Sequence, residues 1–165
     1  MDTPESPWSE GRFDGREAFR QSLRDALAHV RLHQLPWMFW SDPDFEDWPL
    51  EERDFVEQLQ AWALQGGRLR MLASDFRGVQ RRAARFVVWR KQWDHRFEAR
   101  ASGRARVAET PGVLLTPDRM LWRLVPERQV FVVTADRSQR TQMSDQLESL
   151  WQQSVGAFPA TTLGL

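Results

Sequence analysis

The sequence predicts an α/β fold, a mixed sheet flanked by helices, and three observations carry that reading. Residues 37–40 read Trp-Met-Phe-Trp, an apolar run without polar alternation, which suits a strand covered on both faces. On either side of it, apolar residues recur at helical spacing. Gly66-Gly67 then parts the second helical pattern from another short strand, so the order is that of a right-handed crossover unit with parallel strands. With 165 residues, the chain is about one domain long and can bury a proper core.

Residues 1–12 are polar and contain Pro4, Pro7 and Gly11. They are expected to be disordered, with an anchor at Trp8. A single α/β domain is expected over 13–154, followed by an extended tail over 155–165. From Gly15, residues Phe19, Leu23, Ala26, Leu27 and Val30 form one face of a helix, and Arg16, Arg20, Arg24 and Arg31 form the other. His29 and His33 fall near its end, where a cation is favoured by the helix dipole. A strand over 35–40 follows. The next helix spans 49–65, buries Phe55, Val56, Leu59, Trp62 and Ala63, and stops at the glycine pair. Residues 68–73 read as the second strand.

Beyond Ser74-Asp75, a third helical pattern holds Val79, Ala83, Phe86 and Val87, with Arg77, Arg81, Arg82 and Arg85 on its polar side. Residues 95–101 alternate as a third strand. Residues 102–111 form a basic loop. Three short strands are expected at 112–115, 120–125 and 129–134, with turns at Pro117-Asp118 and Pro126-Glu127. The closing helix, 137–154, buries Met143, Leu147, Leu150 and Trp151. The sheet is therefore parallel first and antiparallel later.

Composition narrows the chemistry. There is no cysteine, which removes disulfides, thiolate metal sites and a cysteine nucleophile and fits a reducing cytoplasm. No segment has membrane-spanning length, and the first residues lack the build of a signal peptide. Cytoplasmic localisation is the expectation. Net charge is zero, so no whole-molecule field draws the protein to polyanions. The charges are segregated, however: residues 42–57 hold eight acids against Arg53, and 77–106 hold ten basic residues against Asp94 and Glu98. Lys91 is the sole lysine.

After the first strand, Asp42-Pro43 makes a turn bearing Asp42, Asp44, Glu46 and Asp47. Ligands of open α/β sheets bind outside the carboxyl ends of the strands, so this turn is a candidate for chemistry. The plainer reading is that its acids cap the helix begun by Pro49, Glu51 and Glu52.

This order of elements resembles one half of the phospholipase D superfamily. The likeness runs over residues 13–154 and is carried by the helix from Gly15, the strand 37–40, the step Gly66-Gly67-Arg68-Leu69-Arg70, the hairpin strands and the closing Leu147-Glu148-Ser149-Leu150-Trp151. Asp42-Pro43-Asp44-Phe45, Trp48-Pro49-Leu50 and the ending 158–165 are also similar to an uncharacterised bacterial domain family without an assigned activity. Phospholipase D catalysis needs a His-x-Lys pair, in which histidine attacks phosphorus and lysine holds the phosphoryl oxygens. Here His29, His33 and His95 are followed two places on by Arg31, Leu35 and Phe97. The resemblance thus implies a half-domain without catalytic residues, cofactor or metal, acting as a binding or interaction module. Active single-half members work as homodimers, so a homodimer is implied too.

Two other readings stay open. Asp42-x-Asp44 after an apolar strand is similar to the first motif of haloacid-dehalogenase-type phosphatases, in which a nucleophilic and a general-acid aspartate share Mg²⁺. Ser74, Lys91 and Asp136 would complete that site. Alternatively, Arg81, Arg82, Arg85, Arg90, Lys91 and Arg96, interleaved with Trp89 and Trp93, form a basic, aromatic face over 77–106 of the kind that follows nucleic acid. A protein partner is the remaining option, and the arginines would then pair with the acidic stretch or stay solvated.

Overall fold

The computed structural model describes residues 5–160. Its elements run β1 (Gly11–Phe13), α1 (Arg16–Leu32), β2 (Trp37–Ser41), α2 (Arg53–Leu64), β3 (Arg68–Ala73), α3 (Arg77–Arg82), α4 (Ala84–Gln92), β4 (Phe97–Ala101), β5 (Val113–Leu115), β6 (Met120–Val125), β7 (Val130–Thr134), α5 (Arg137–Gln152) and β8 (Val155–Gly156). All strands join one mixed sheet in the order β1-β7-β6-β5-β2-β3-β4-β8. As the crossover pattern predicts, β2 and β3 are parallel; β4 joins them in parallel, while β5, β6 and β7 form an antiparallel meander joined to β2.

The two faces are unequal. One is covered by α1, α2 and the α3–α4 pair over a large aromatic core, with Trp8, Trp40, Trp48 and Trp62 all fully buried. Trp40 sits at its centre, its ring 5.3 Å from Trp48 and 6.0 Å from Phe86. The other face carries α5 alone, with Met143, Leu147 and Trp151 set on Phe39, Leu72, Val113, Leu115 and Met120. Leu150, expected in this core, only flanks it. Gly66 takes a φ of 100° at the end of α2, the left-handed cap that glycine permits.

Several expectations change. Residues 5–12 are ordered where disorder was expected: Trp8 is buried, and β1 pairs with β7. His29 explains this, because its Nδ1 lies 2.7 Å from Ser6 Oγ and its Nε2 3.1 Å from the Asp118 carboxylate. It is a buried link holding the amino-terminal segment, and burial pushes its pKa down against the pull of Asp118. Residues 1–4 of that expected disorder lie outside the described residues. The third helical pattern splits at Ala83 (φ −114°, ψ 64°), although no glycine or proline marks the break. The tail docks on its own domain: β8 pairs with β4 and Phe158 is buried, with 161–165 lying outside the described residues. Among the described residues, no helix is long and apolar enough to cross a membrane.

Candidate functional site

The carboxyl end of β2 builds the most concentrated polar cluster. Asp42 extends the ladder by donating its N–H to Leu72 O, then turns its side chain inward and is 1% exposed. One carboxylate oxygen accepts the backbone N–H groups of Asp44 (3.2 Å) and Phe45 (2.8 Å), and the other accepts Arg123 Nη1 at 3.2 Å. Burial pushes the Asp42 carboxyl up to about 6, against the opposing pull of Arg123 and the two N–H groups. Arg123, from β6, is 8% exposed. Its Nη2 reaches Asp47 Oδ2 and Gln129 Oε1, each at 2.9 Å, and its guanidinium lies 4.6 Å from the Phe19 ring centroid. Gly112 makes room, since a Cβ there would fall 2.8 Å from Arg123 Cδ and 3.1 Å from Asp42 Oδ1. Burial works against ionisation of Asp47, yet hydrogen bonds from Gln129, Arg16 and Arg123 hold its pKa low. Over this cluster opens a cleft of about 930 Å³, lined also by Asp44, Glu46, Glu127 and the 105–112 loop.

The five residues of the phosphatase reading do not converge on this cleft. Asp42 and Ser74 are neighbours, but Ser74 Oγ donates to Pro43 O at 2.6 Å and Asp42 is closed off beneath Arg123. The Asp44 carboxylate accepts the Glu46 N–H. Asp136 caps α5 through Gln139 N at the end of β7, three strands from β2 and antiparallel to it, so it lies at the opposite edge of the sheet. Lys91 sits in the last turn of α4, towards the amino end of β4 and away from the cleft. Among the described residues, no group of three or more histidines and carboxylates is placed to hold a metal ion. Nor do the acids cap α2: Glu52, its N-cap residue, makes no capping hydrogen bond.

Instead, four acids of the stretch, Asp42, Asp47, Glu51 and Glu52, are taken up by α1 and β6. Arg16 pairs with Asp47 (3.2 Å), Arg20 with Glu51 and Glu52, and Arg24 with Glu52 (2.7 Å). Among the described residues, the basic run 77–106 makes no ion pair with that stretch and hydrogen-bonds to it only at backbone carbonyls. Arg90, expected at the surface, is buried; its Nε donates to Phe158 O at 2.6 Å and its Nη1 to Asp94 at 2.8 Å. Arg96 is half-buried and donates to Gly66 O at 2.8 Å. Both leave the candidate binding set because each satisfies a carbonyl of the fold. Trp89 is buried, and Trp93 is half-buried, packed against the core with its indole N–H donated to Gln60, so both rings are engaged in the fold. Arg77 and Arg104 share Asp75.

Arg81, Arg82, Arg85 and Lys91 remain exposed. Arg82 and Arg85 reach only backbone carbonyls, those of Asp44 and Glu51. None of the four has a carboxylate partner among the described residues. Arg81 and Arg82 end α3, and Arg85 and Lys91 lie on α4, on either side of the break at Ala83.

The sequence reading missed Arg123. A signal was present: it is the lone charge in the strand Met-Leu-Trp-Arg-Leu-Val, and a charge in a covered strand needs an opposite one.

No protein-family model matches the chain, and a search of curated proteins finds no match. Among solved structures the chain is similar to TrmBL2, described as an archaeal chromatin protein with a novel mode of DNA binding, at a TM-score of 0.67 and 11% identity. The likeness covers 95% of this chain and 57% of that one. At such identity it speaks for the fold alone, and this chain spans less than two thirds of that neighbour's length.

Proposed function

We propose that this is a nucleic-acid-binding domain, a non-catalytic module of phospholipase D-like half-domain build, which contacts the phosphate backbone through Arg81, Arg82, Arg85 and Lys91. One observation carries the reading: Asp42, Asp47, Glu51 and Glu52 pair with α1 and Arg123, and none of these four cations has a carboxylate partner among the described residues. The DNA-binding role given for the structural neighbour supports the reading. So does the element order, parallel strands followed by an antiparallel meander and a closing helix, in a sequence with no His-x-Lys pair. Because Trp89 and Trp93 are occupied in the fold, stacking on unpaired bases has no platform here, and the geometry favours duplex over single strand. A nucleic-acid partner is in keeping with the expected cytoplasmic location. A homodimer would place two stripes on one duplex, and sedimentation velocity at micromolar concentration tests it.

The test is fluorescence anisotropy with a labelled duplex and its single strand at several salt concentrations between 50 and 200 mM. Binding to the duplex is expected to weaken with salt, and the variant with all four residues changed to Gln is expected to lower the log–log slope by about 3 to 4. No duplex affinity at 50 mM, or an unchanged slope in the variant, overturns the proposal.

A further inference from the structure

A strand covered on both faces is the prediction for residues 37–40, and it fails at the first residue. Trp37 is 39% exposed, while Met38, Phe39 and Trp40 are buried. The cause is the single helix on that face: α5 crosses over Phe39 and Leu115 but passes to one side of Trp37, leaving a notch of about 290 Å³ along its flank at the amino ends of β2 and β3. Trp37, Phe39 and Leu115 form its floor. Ser144 and Glu148 of α5 form one wall, and Arg68 and Arg70 the other. The notch lies on the opposite side of the sheet from α4, so it is separate from the basic stripe.

We propose that this notch binds a small aromatic carboxylate, with its ring against Trp37 and Leu115 and its carboxylate on Arg68. The volume lies at the low end of ligand pockets and excludes nucleotides and larger cofactors. The flat Trp37 ring favours an aromatic body, since offset or edge contacts between rings add to area burial. The charge is decided at the rim. Arg70 and Glu148 neutralise each other at 3.2 Å, and the Arg70 guanidinium is further held 5.0 Å from the Trp151 ring centroid. Arg68 stands opposite Trp37 in the strand register and has no carboxylate partner among the described residues. One uncompensated guanidinium beside an apolar floor selects an anionic head with a flat apolar body.

Isothermal titration with indole-3-acetate and the neutral indole-3-acetamide tests this on the full chain. The acid is expected to bind, and the amide about fivefold more weakly, the size of one charged contact at a partly solvated site. Arg68→Gln should abolish the preference for the acid. Ser144→Phe, at an exposed helix position, should block both probes without unfolding the protein. Equal affinity for acid and amide, binding unaffected by either substitution, or no heat of binding up to millimolar acid overturns the proposal. These outcomes are independent of nucleic-acid affinity, which the stripe alone governs.

Discussion

Arginine plays two opposed parts on this domain. Around the carboxyl end of β2, Arg123 and Arg20 are buried among carboxylates, closing the acidic turn onto α1 and β6. Along α3 and α4, Arg81, Arg82 and Arg85 are exposed and meet only backbone carbonyls or solvent. The difference lies in what else must be satisfied. A buried carboxylate such as Asp42 is costly unless paired and hydrogen-bonded, so it consumes its arginine in the fold. An exposed guanidinium costs the fold little and stays available to an outside anion. Local charge density is thus a poor guide to function until the internal pairings have been subtracted.

The strongest way to break this contrast is Arg123→Ala, which leaves Asp42 buried without its countercharge. A loss of about 3–5 kcal/mol is expected, read from urea denaturation, whereas the four-Gln stripe variant should stay within about 0.5 kcal/mol of the parent. Similar losses in the two variants would erase the distinction.

The pH dependence of stability sharpens it. The folded pKa of Asp42, about 6, lies above its ordinary value of 3.8. Its stabilising contribution is therefore full below about pH 3.8 and is lost as pH rises through about 6. Asp47 and Glu52 have lowered values, so theirs is present above the ordinary carboxylate range and lost as pH falls. Relative to Asp42→Asn, the parent should lose about 2 kcal/mol between pH 4 and 6.5; parallel stability curves would show that Asp42 does not titrate as described.

Arg90→Ala tests an arginine that looks from sequence like part of the basic face. Removing its bonds to Phe158 O and Asp94 is expected to cost about 1–3 kcal/mol and to speed amide exchange in β8, with no change in duplex affinity. The smallest effect belongs to Arg81→Gln: stability unchanged within about 0.5 kcal/mol, and a salt slope shallower by about one. A normal slope in that variant removes Arg81 from the interface.

Much of the architecture was legible in the residues. The periodicity of α1, the glycine stop after α2, the parallel pair β2 and β3 and the three-strand meander all follow from local spacing and turn chemistry. The site was only half legible. Asp42 stands out as an acid ending a buried strand, but its partner Arg123 lies 81 residues away, and nothing local joins them. Arg90 and Lys91 are adjacent in sequence and opposite in fate, because helix phase turns one towards Phe158, which approaches only once the tail has docked. The break at Ala83 has no local signal.

The sequence by itself determined the elements, their order and the absence of a His-x-Lys pair, since periodicity, turns and residue types are local properties. The tertiary structure decided which charges cancel and which surfaces stay bare. Pairing of a buried carboxylate is set by what the fold brings within about 3 Å of it, and the coverage of Trp37 by the path a single helix takes across the sheet.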